Sequence, residues 1–287
     1  MYFTQYTDVH VFHEAVKDIL MRHEAQNVIP LGNILIGMDS TDNTGWRDPA
    51  NFFMATVSNQ VGIILTAIKT GDKNLAIYAT DNKNDPDAIT CLMEGMAQAG
   101  ITLPGVLAEK SLAEMFEKLY TAKHNISSKI NMSQRIYELE AVTPAIHKAA
   151  IRLAQERDMS FLPYWTEGLW GDALGKPVNI CDDAGGYNYH IQQGRLYIME
   201  DKGIPVSMAK ISRDVKNVCV IGFVYTPPYF RKKGYATACV AAVTQIALNR
   251  GFKKCVLYTD LTNPISNSIY QKIGYRPICD SLEIGFE

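Results

Sequence analysis

The chain has 287 residues, of which 47% are hydrophobic and 20% charged, with a formal net charge of −2. That length exceeds one typical core of about 100–150 residues, and the composition is that of a globular chain that needs neither metals nor disulfides to build a core. The charge gives no basic excess for nucleic acid or an anionic membrane. No run of about 18 apolar residues predicts a membrane span, and Met1-Tyr2-Phe3-Thr4-Gln5 lacks the basic-then-apolar order of a leader.

The six cysteines, Cys91, Cys181, Cys219, Cys239, Cys255 and Cys279, are scattered and form no C-x-x-C. Several lie in apolar runs such as Val218-Cys219-Val220, which reads as reduced core thiols in a cytoplasmic protein.

Val9, Phe12, Val16, Ile19 and Leu20 recur at helical spacing, and Ile34, Leu35 and Ile36 predict a second short helix. Asn51–Ser58 and Val61–Lys69 read as strands joined by a tight turn at Asn59-Gln60, and Asn74–Thr80 as a third strand. Asp85-Pro86 opens a helix that Gly100 closes. Gly105–Glu109 is a short strand, Ser111-Leu112-Ala113-Glu114 has the spacing of a capping box, and Lys129–Glu140 is a long strand.

The best domain boundary lies near Thr143-Pro144, which divides the chain into 1–142 and 143–287. Ala150–Ala154 reads as a strand, and a mixed helical and loop region runs to about Gln193. Leu196–Glu200 and Val206–Ile211 form a hairpin through Asp201-Lys202-Gly203. Val218–Tyr225 is a strongly apolar strand, Tyr235–Arg250 a helix stopped by Gly251, and Cys255–Thr259 a strand. Asn263-Pro264 starts a helix ending at Gly274, and Tyr275–Phe286 is one or two strands.

The halves match weakly at an offset near 150. Val106-Leu107 falls on Val256-Leu257, and Leu119-Tyr120 on Ile269-Tyr270. The shared strand–helix order predicts an internal duplication.

The chemistry concentrates between Val218 and Thr237. Pro227-Pro228 removes two backbone donors and ends the strand. Arg231-Lys232-Lys233-Gly234-Tyr235-Ala236 then leads into a helix. A helix start offers unpaired N–H groups and the positive end of the macrodipole, and glycine lets the backbone come close to a ligand. With three cations alongside, the junction is an anion site suited to a pyrophosphate. Neither the lysine-bearing P-loop pattern nor the dinucleotide fingerprint is present. A basic triplet before a helix is by itself usually a solvated turn.

Arg231–Ala236 fits the R/Q-x-x-G-x-G/A signature and so resembles the GNAT superfamily of acetyl-CoA-dependent N-acetyltransferases. The segment Asn263-Pro264-Ile265-Ser266-Asn267-Ser268-Ile269-Tyr270-Gln271-Lys272-Ile273-Gly274-Tyr275 looks like that family's downstream N-x-x-(S/A)-x-x-x-Y segment. The strong resemblance covers about the last quarter of the chain, Val224–Asp280. It implies an α+β fold of tandem GNAT-like domains, each a mixed, mostly antiparallel sheet flanked by helices, with a degenerate N-terminal copy at 1–142 and the acetyltransferase domain at 143–287.

The resemblance also implies roles. Val224, Tyr225 and Thr226 present backbone groups to the pantetheine arm and thioester, where the family's strand splays at a bulge. Arg231, Lys232, Lys233, Gly234, Tyr235, Ala236 and Thr237 hold the pyrophosphate. Asn263 contacts the pantetheine, and Ser266 and Asn267 join the cofactor-binding set. Tyr270 lies by the sulfur and protonates the departing thiolate, a task for a phenol that stays neutral at pH 7. The reaction implied is direct attack of an amine, on a small molecule or a peptide, upon the thioester of acetyl-CoA. The alternative is a CoA-binding module without turnover.

No general base stands out. The strand Val218–Tyr225 carries no Glu, Asp or His, which leaves Glu200, Asp201, Asp260 and Glu167 as open choices. Asn263 before proline is also an ordinary helix cap, and Tyr270 among Ile269 and Ile273 is also a core residue. Tyr164, Trp165, Trp170, Tyr187 and Tyr189 fall where the family builds its acceptor pocket, and serve equally well as core. The six histidines form no metal spacing, so no metal is expected. In the first half, Asp81-Asn82-Lys83-Asn84-Asp85-Pro86 places an acidic turn where a phosphate loop would be, so that copy is expected not to bind CoA. Monomer and homodimer both stay open.

Overall fold

The computed structural model describes residues 1–39, 45–82, 84–143, 149–174 and 189–287. Contacts divide the chain into two compact units, one of 1–136 with 259–263 and 277–287, the other of 137–258 with 264–276. Both units are discontinuous along the chain, whereas the sequence expectation is one run each, 1–142 and 143–287.

The first unit opens with strand β1 (Tyr2–Tyr6), helices α1 (Val9–Arg22) and α2 (Val28–Met38), and strands β2 (Phe52–Ser58), β3 (Ile63–Thr70) and β4 (Leu75–Ala79). Helix α3 (Pro86–Gln98), β5 (Gly105–Glu109), α4 (Lys110–His124) and β6 (Ser128–Leu139, through Ile136) follow. Its strands run β1-β2-β3-β4-β5-β12-β6, where β12 (Arg276–Phe286) is the last strand of the chain. Leu282 and Ile284 of β12 enter the same core as Val106, Leu112 and Phe116, and Ser281–Gly285 pairs antiparallel with Gly105–Glu109. A buried edge of β5 needs a ladder partner, and β12 supplies it.

Strands β2 to β4 are buried on both faces. Phe53, Ala55, Val57, Leu65 and Ala67 pack with α3 and α4, while α1 and α2 touch β2, β3 and β4. Strand β1 is not among the elements expected from the sequence, because its residues are exposed or half-buried and lack a core signature. Helix α4 also starts before the expected capping box at Ser111. Glu109 is the cap, accepting from the N–H groups of Ser111 and Leu112 at 3.0 and 3.3 Å. The β2–β3 turn spans Asn59 to Gly62, with the Asn59 side chain accepting from Val61 and Gly62, as asparagine does in turns.

The second unit holds β7 (Ala150–Leu153), α5 (Leu162–Leu174), β8 (Leu196–Asp201), β9 (Ile204–Asp214), β10 (Val218–Tyr225), α6 (Tyr235–Asn249), β11 (Lys254–Asp260, through Tyr258) and α7 (Pro264–Ile273). Its strands run β11-β10-β9-β8-β7. Tyr197, Met199, Ala209, Ile211, Cys219 and Leu257 pack under α6 and α7, and Leu196, Ile198, Met208 and Tyr225 pack under α5. The β8–β9 hairpin turns on Lys202 and Gly203, both at positive φ (52° and 78°), the pair that a right-twisted two-residue turn requires.

Each unit contains a parallel strand pair joined through a helix, β4–α3–β5 in the first and β10–α6–β11 in the second. Val106 pairs with Leu75 and Val256 with Val220, so the residues matched at the offset of 150 occupy equivalent places. The fold is α+β with mixed sheets, a tandem arrangement.

Candidate active site

Strand β10 carries the first feature of the candidate site. Its parallel register with β11 runs Val218↔Lys254, Cys219↔Cys255, Val220↔Val256, and among the described residues it goes no further. On the other side, Gly222 stands opposite Lys210 but Tyr225 opposite Met208, three steps on β10 against two on β9. This is a β-bulge, and its extra residue shows in the backbone: Phe223 has φ 58°. A bulky residue in that region costs on the order of 1–3 kcal/mol, the kind of strain that gathers at functional sites.

The bulge also resets which way side chains point. Ile221 and Val224 pack on the α6 side, while Phe223 and Tyr225 both turn to the α5 side. Uninterrupted alternation would have put Tyr225 with Ile221.

After Tyr225 the chain turns through Pro227 and a short helical turn at Pro228–Phe230. Lys232 and Gly234 have φ 63° and 84°, and Gly234 is the N-cap of α6 with no side-chain cap. The contrast with α1, α3 and α4 is direct. Their first N–H groups are taken by Asp8, Asp85 and Glu109. The start of α6 keeps its N–H groups and helix dipole open toward an exposed turn carrying Lys232 and Lys233. The Lys233 ammonium lies 4.6 Å from the centre of the exposed Tyr229 ring.

Several of the predicted side chains have protein partners. Arg231 Nε donates to the Thr226 carbonyl at 2.9 Å and a terminal nitrogen donates to Asp172 Oδ2 at 2.5 Å. The Tyr235 hydroxyl donates to Asp201 Oδ2 at 2.5 Å, and its ring is buried. That hydrogen bond to the carboxylate holds the Tyr235 phenol above its ordinary pKa. Thr226 Oγ1 is 2.8 Å from Ser207 Oγ, which also donates to the Tyr225 carbonyl at 3.0 Å. Ala236 and Thr237 are half-buried on the first turn of α6.

Tyr270, on α7, is buried with its ring 6.4 Å from Tyr137 and 6.2 Å from Tyr275. Among the described residues its hydroxyl has no hydrogen-bond partner, and burial pushes the phenol up to about 12. The next side chain toward the helix start is anchored: the Tyr137 hydroxyl donates to Asn267 Oδ1 at 3.0 Å. Asn263 precedes α7 and its N–H donates to the Asp260 carbonyl. The side chain of Ser266 lies outside the described residues.

Of the four acids open as general base, Glu200 pairs with Arg152 at 2.6 Å and Asp201 accepts from Tyr235. Asp260 accepts from the N–H and hydroxyl of Thr262, both at 2.7 Å. Glu167 is exposed on α5.

The α5 face is aromatic. Trp165 lies 6.1 Å from Tyr225, and Trp170 lies edge-on to Phe223 at 6.1 Å. Tyr164 is exposed, Tyr189 is exposed beside His190, and Tyr187 lies outside the described residues. His190 Nε2 sits 2.9 Å from the Lys210 ammonium, which also lies 5.1 Å from the Phe223 ring. Nothing local in the sequence marks Lys210, Asp172 or Gly168, because each meets the site through a contact across the sheet or between elements. Gly168 shows locally only as a glycine inside a helix.

In the first unit the corresponding junction differs. Asp81 has φ 56°, and the Asp85 carboxylate accepts from the Asp87 N–H at 2.9 Å, so α3 is closed by its own side chain.

No curated protein matches the chain. Among solved structures, it is similar to a GCN5-related N-acetyltransferase from Sphaerobacter thermophilus (13% identity, TM-score 0.60, 99% of this chain and 95% of that one). It is also similar to a GNAT-family acetyltransferase from Colwellia psychrerythraea (12% identity, TM-score 0.57, 100% and 99%). A third likeness is to a tandem GNAT protein from the clavulanic acid biosynthesis pathway (8% identity, TM-score 0.58, 100% and 98%). At such identities the likeness speaks for the fold. The sequence itself matches the family model described as acetyltransferase (GNAT) family over residues 161–275. Residues 161–275 of this chain are therefore a domain of the GNAT acetyltransferase family.

Proposed function

We propose that this protein transfers an acetyl group from acetyl-CoA to an amine, by direct attack of the amine on the thioester. One observation carries the reading. The strained bulge at Phe223, the end of the β10–β11 ladder at Val220 and the uncapped start of α6 at Gly234 follow one another along a single stretch of chain. They supply what a thioester on a pyrophosphate arm needs: backbone groups freed from a ladder, then an anion site.

In this reading the N–H groups at Gly234–Thr237 and the ammonium groups of Lys232 and Lys233 hold the pyrophosphate. Backbone groups of Val224, Tyr225 and Thr226 face the pantetheine and thioester, with Asn263, Ser266 and Asn267 further along the arm. A backbone N–H aimed at the carbonyl oxygen stabilises the negative charge that develops there, and holding both reactants in place supplies much of the rate. Tyr270 gives its proton to the departing thiolate. The acceptor is an amine on a small molecule or peptide, and the α5 aromatic face is where it docks. The capped α3 junction leaves one CoA per chain. The scattered cysteines support a cytoplasmic site of action, and no nucleic acid or membrane partner enters the reading.

A second reading, a CoA-binding module without turnover, is favoured by the state of the acids: Glu200 and Asp201 are both engaged by other side chains. Thermal shift with CoA tests binding, and free-thiol release from acetyl-CoA across a panel of amines tests turnover. CoA stabilisation with thiol release supports the enzyme. Stabilisation with no release from any amine supports the second reading, and no stabilisation sinks both.

A further inference from the structure

Arg231 heads the basic turn, yet its guanidinium already has three protein partners. Nε holds the Thr226 carbonyl at 2.9 Å, a terminal nitrogen holds Asp172 of α5 at 2.5 Å, and the planar group lies 5.7 Å from the Tyr225 ring centre. Tyr225 continues the line into α5. Its ring lies 6.1 Å from Trp165, and its hydroxyl fits against the bare Cα of Gly168, where an added Cβ would come within 2.2 Å of it.

We propose that Arg231 is a positioning residue that braces the basic turn to α5 and couples donor binding to the aromatic α5 face, and that it does not act as a phosphate ligand. The coupling half rests on the CoA reading above; the brace does not. Arginine suits the task because its rigid fork reaches two acceptors at set angles while its flat face lies on an aromatic ring, whereas a lysine ammonium is a point charge that does neither. Coupling of this kind is reciprocal: whatever steadies the turn steadies α5 to the same degree in free energy.

The test uses the full chain carrying Arg231→Lys, Asp172→Ala or both, with hydrogen exchange read at the amides of α5 and CoA affinity measured by calorimetry. Both side chains are partly exposed, so the variants fold, and exchange in α3 serves as the internal control. In the ligand-free protein each single variant is expected to speed exchange in the last turns of α5 at least threefold. The double variant is expected to add little, because the two residues serve one contact. CoA is expected to slow α5 exchange in the parent protein and much less in the variants, and the two single variants to weaken CoA by similar, modest factors. Unchanged α5 exchange in the variants overturns the brace. A tenfold or greater loss of CoA affinity in Arg231→Lys with none in Asp172→Ala makes Arg231 a phosphate ligand and overturns the proposal. Exchange is read without ligand, so a parent protein that fails to bind CoA refutes the functional reading while the brace is still decided.

Discussion

The Tyr235 hydroxyl donates to Asp201 across 2.5 Å, tying the first residue of α6 to the end of β8. The side chain of a residue in the basic turn motif is thus spent on orienting the helix. Tyr235→Phe is expected to lower thermal stability while leaving CoA affinity within about threefold, under 1 kcal/mol. The bond raises the folded phenol's pKa, so its contribution is present below the unfolded value near pH 10 and lost as pH rises through the higher folded value. Melting temperature against alkaline pH should fall less steeply in the variant.

Gly234 caps α6 at φ 84°, a conformation side chains with a Cβ rarely adopt. Gly234→Val is expected to move the backbone at the anion site and to weaken CoA by at least about tenfold, about 1.4 kcal/mol. Retained CoA stabilisation in a thermal-shift titration would count against the site.

Tyr270→Phe is expected to bind CoA and to release thiol more slowly by about 10²- to 10⁴-fold, the range for a lost general acid. Because burial raises the phenol to about 12, its proton stays on through neutral pH, and no alkaline limb from this group should appear below about pH 10. Unchanged turnover would return Tyr270 to a packing role.

Gly168 faces the Tyr225 hydroxyl so closely that a Cβ would lie 2.2 Å from it. Gly168→Ala is expected to cost about 1–3 kcal/mol as overpacking, and Tyr225→Phe in the same chain to recover part of it. Denaturant midpoints of the single and double variants decide this.

Asp158 is buried and holds Arg152 through two bonds of 2.7 and 2.8 Å. Burial alone would raise its carboxyl, but Arg152 and the Gln155 N–H outweigh that and hold it below the usual carboxylate range. Its contribution is therefore present above about pH 4 and lost as pH falls through the lowered value. Asp158→Ala is expected to cost about 3 kcal/mol, the low end for a broken buried pair, because Glu200 still meets Arg152. Urea unfolding at pH 7 and at pH 3 should show the difference shrinking in acid.

The sequence by itself determined most elements and the position of the basic turn. Val218–Tyr225, Gly105–Glu109 and the helix starting at Tyr235 are readable because apolar period, proline, glycine and capping residues act locally. The repeated strand–helix–strand order was legible too, since equivalent strands need equivalent apolar residues.

Only the tertiary structure decided the rest. The return of Pro277–Glu287 to the first unit depends on a buried strand edge elsewhere in the chain, and no local pattern marks which edge a strand will join. The bulge at Phe223 arises from the register between β10 and β9, a property of two strands that neither carries alone. Arg231 and Tyr235 stand in a motif that marks them for an anion, yet their side chains meet Asp172 and Asp201, 59 and 34 residues away. Spacing along a chain specifies what a backbone can offer a ligand. Which charges are already spent is settled by packing, because electrostatic and hydrogen-bond partners are chosen by distance in space.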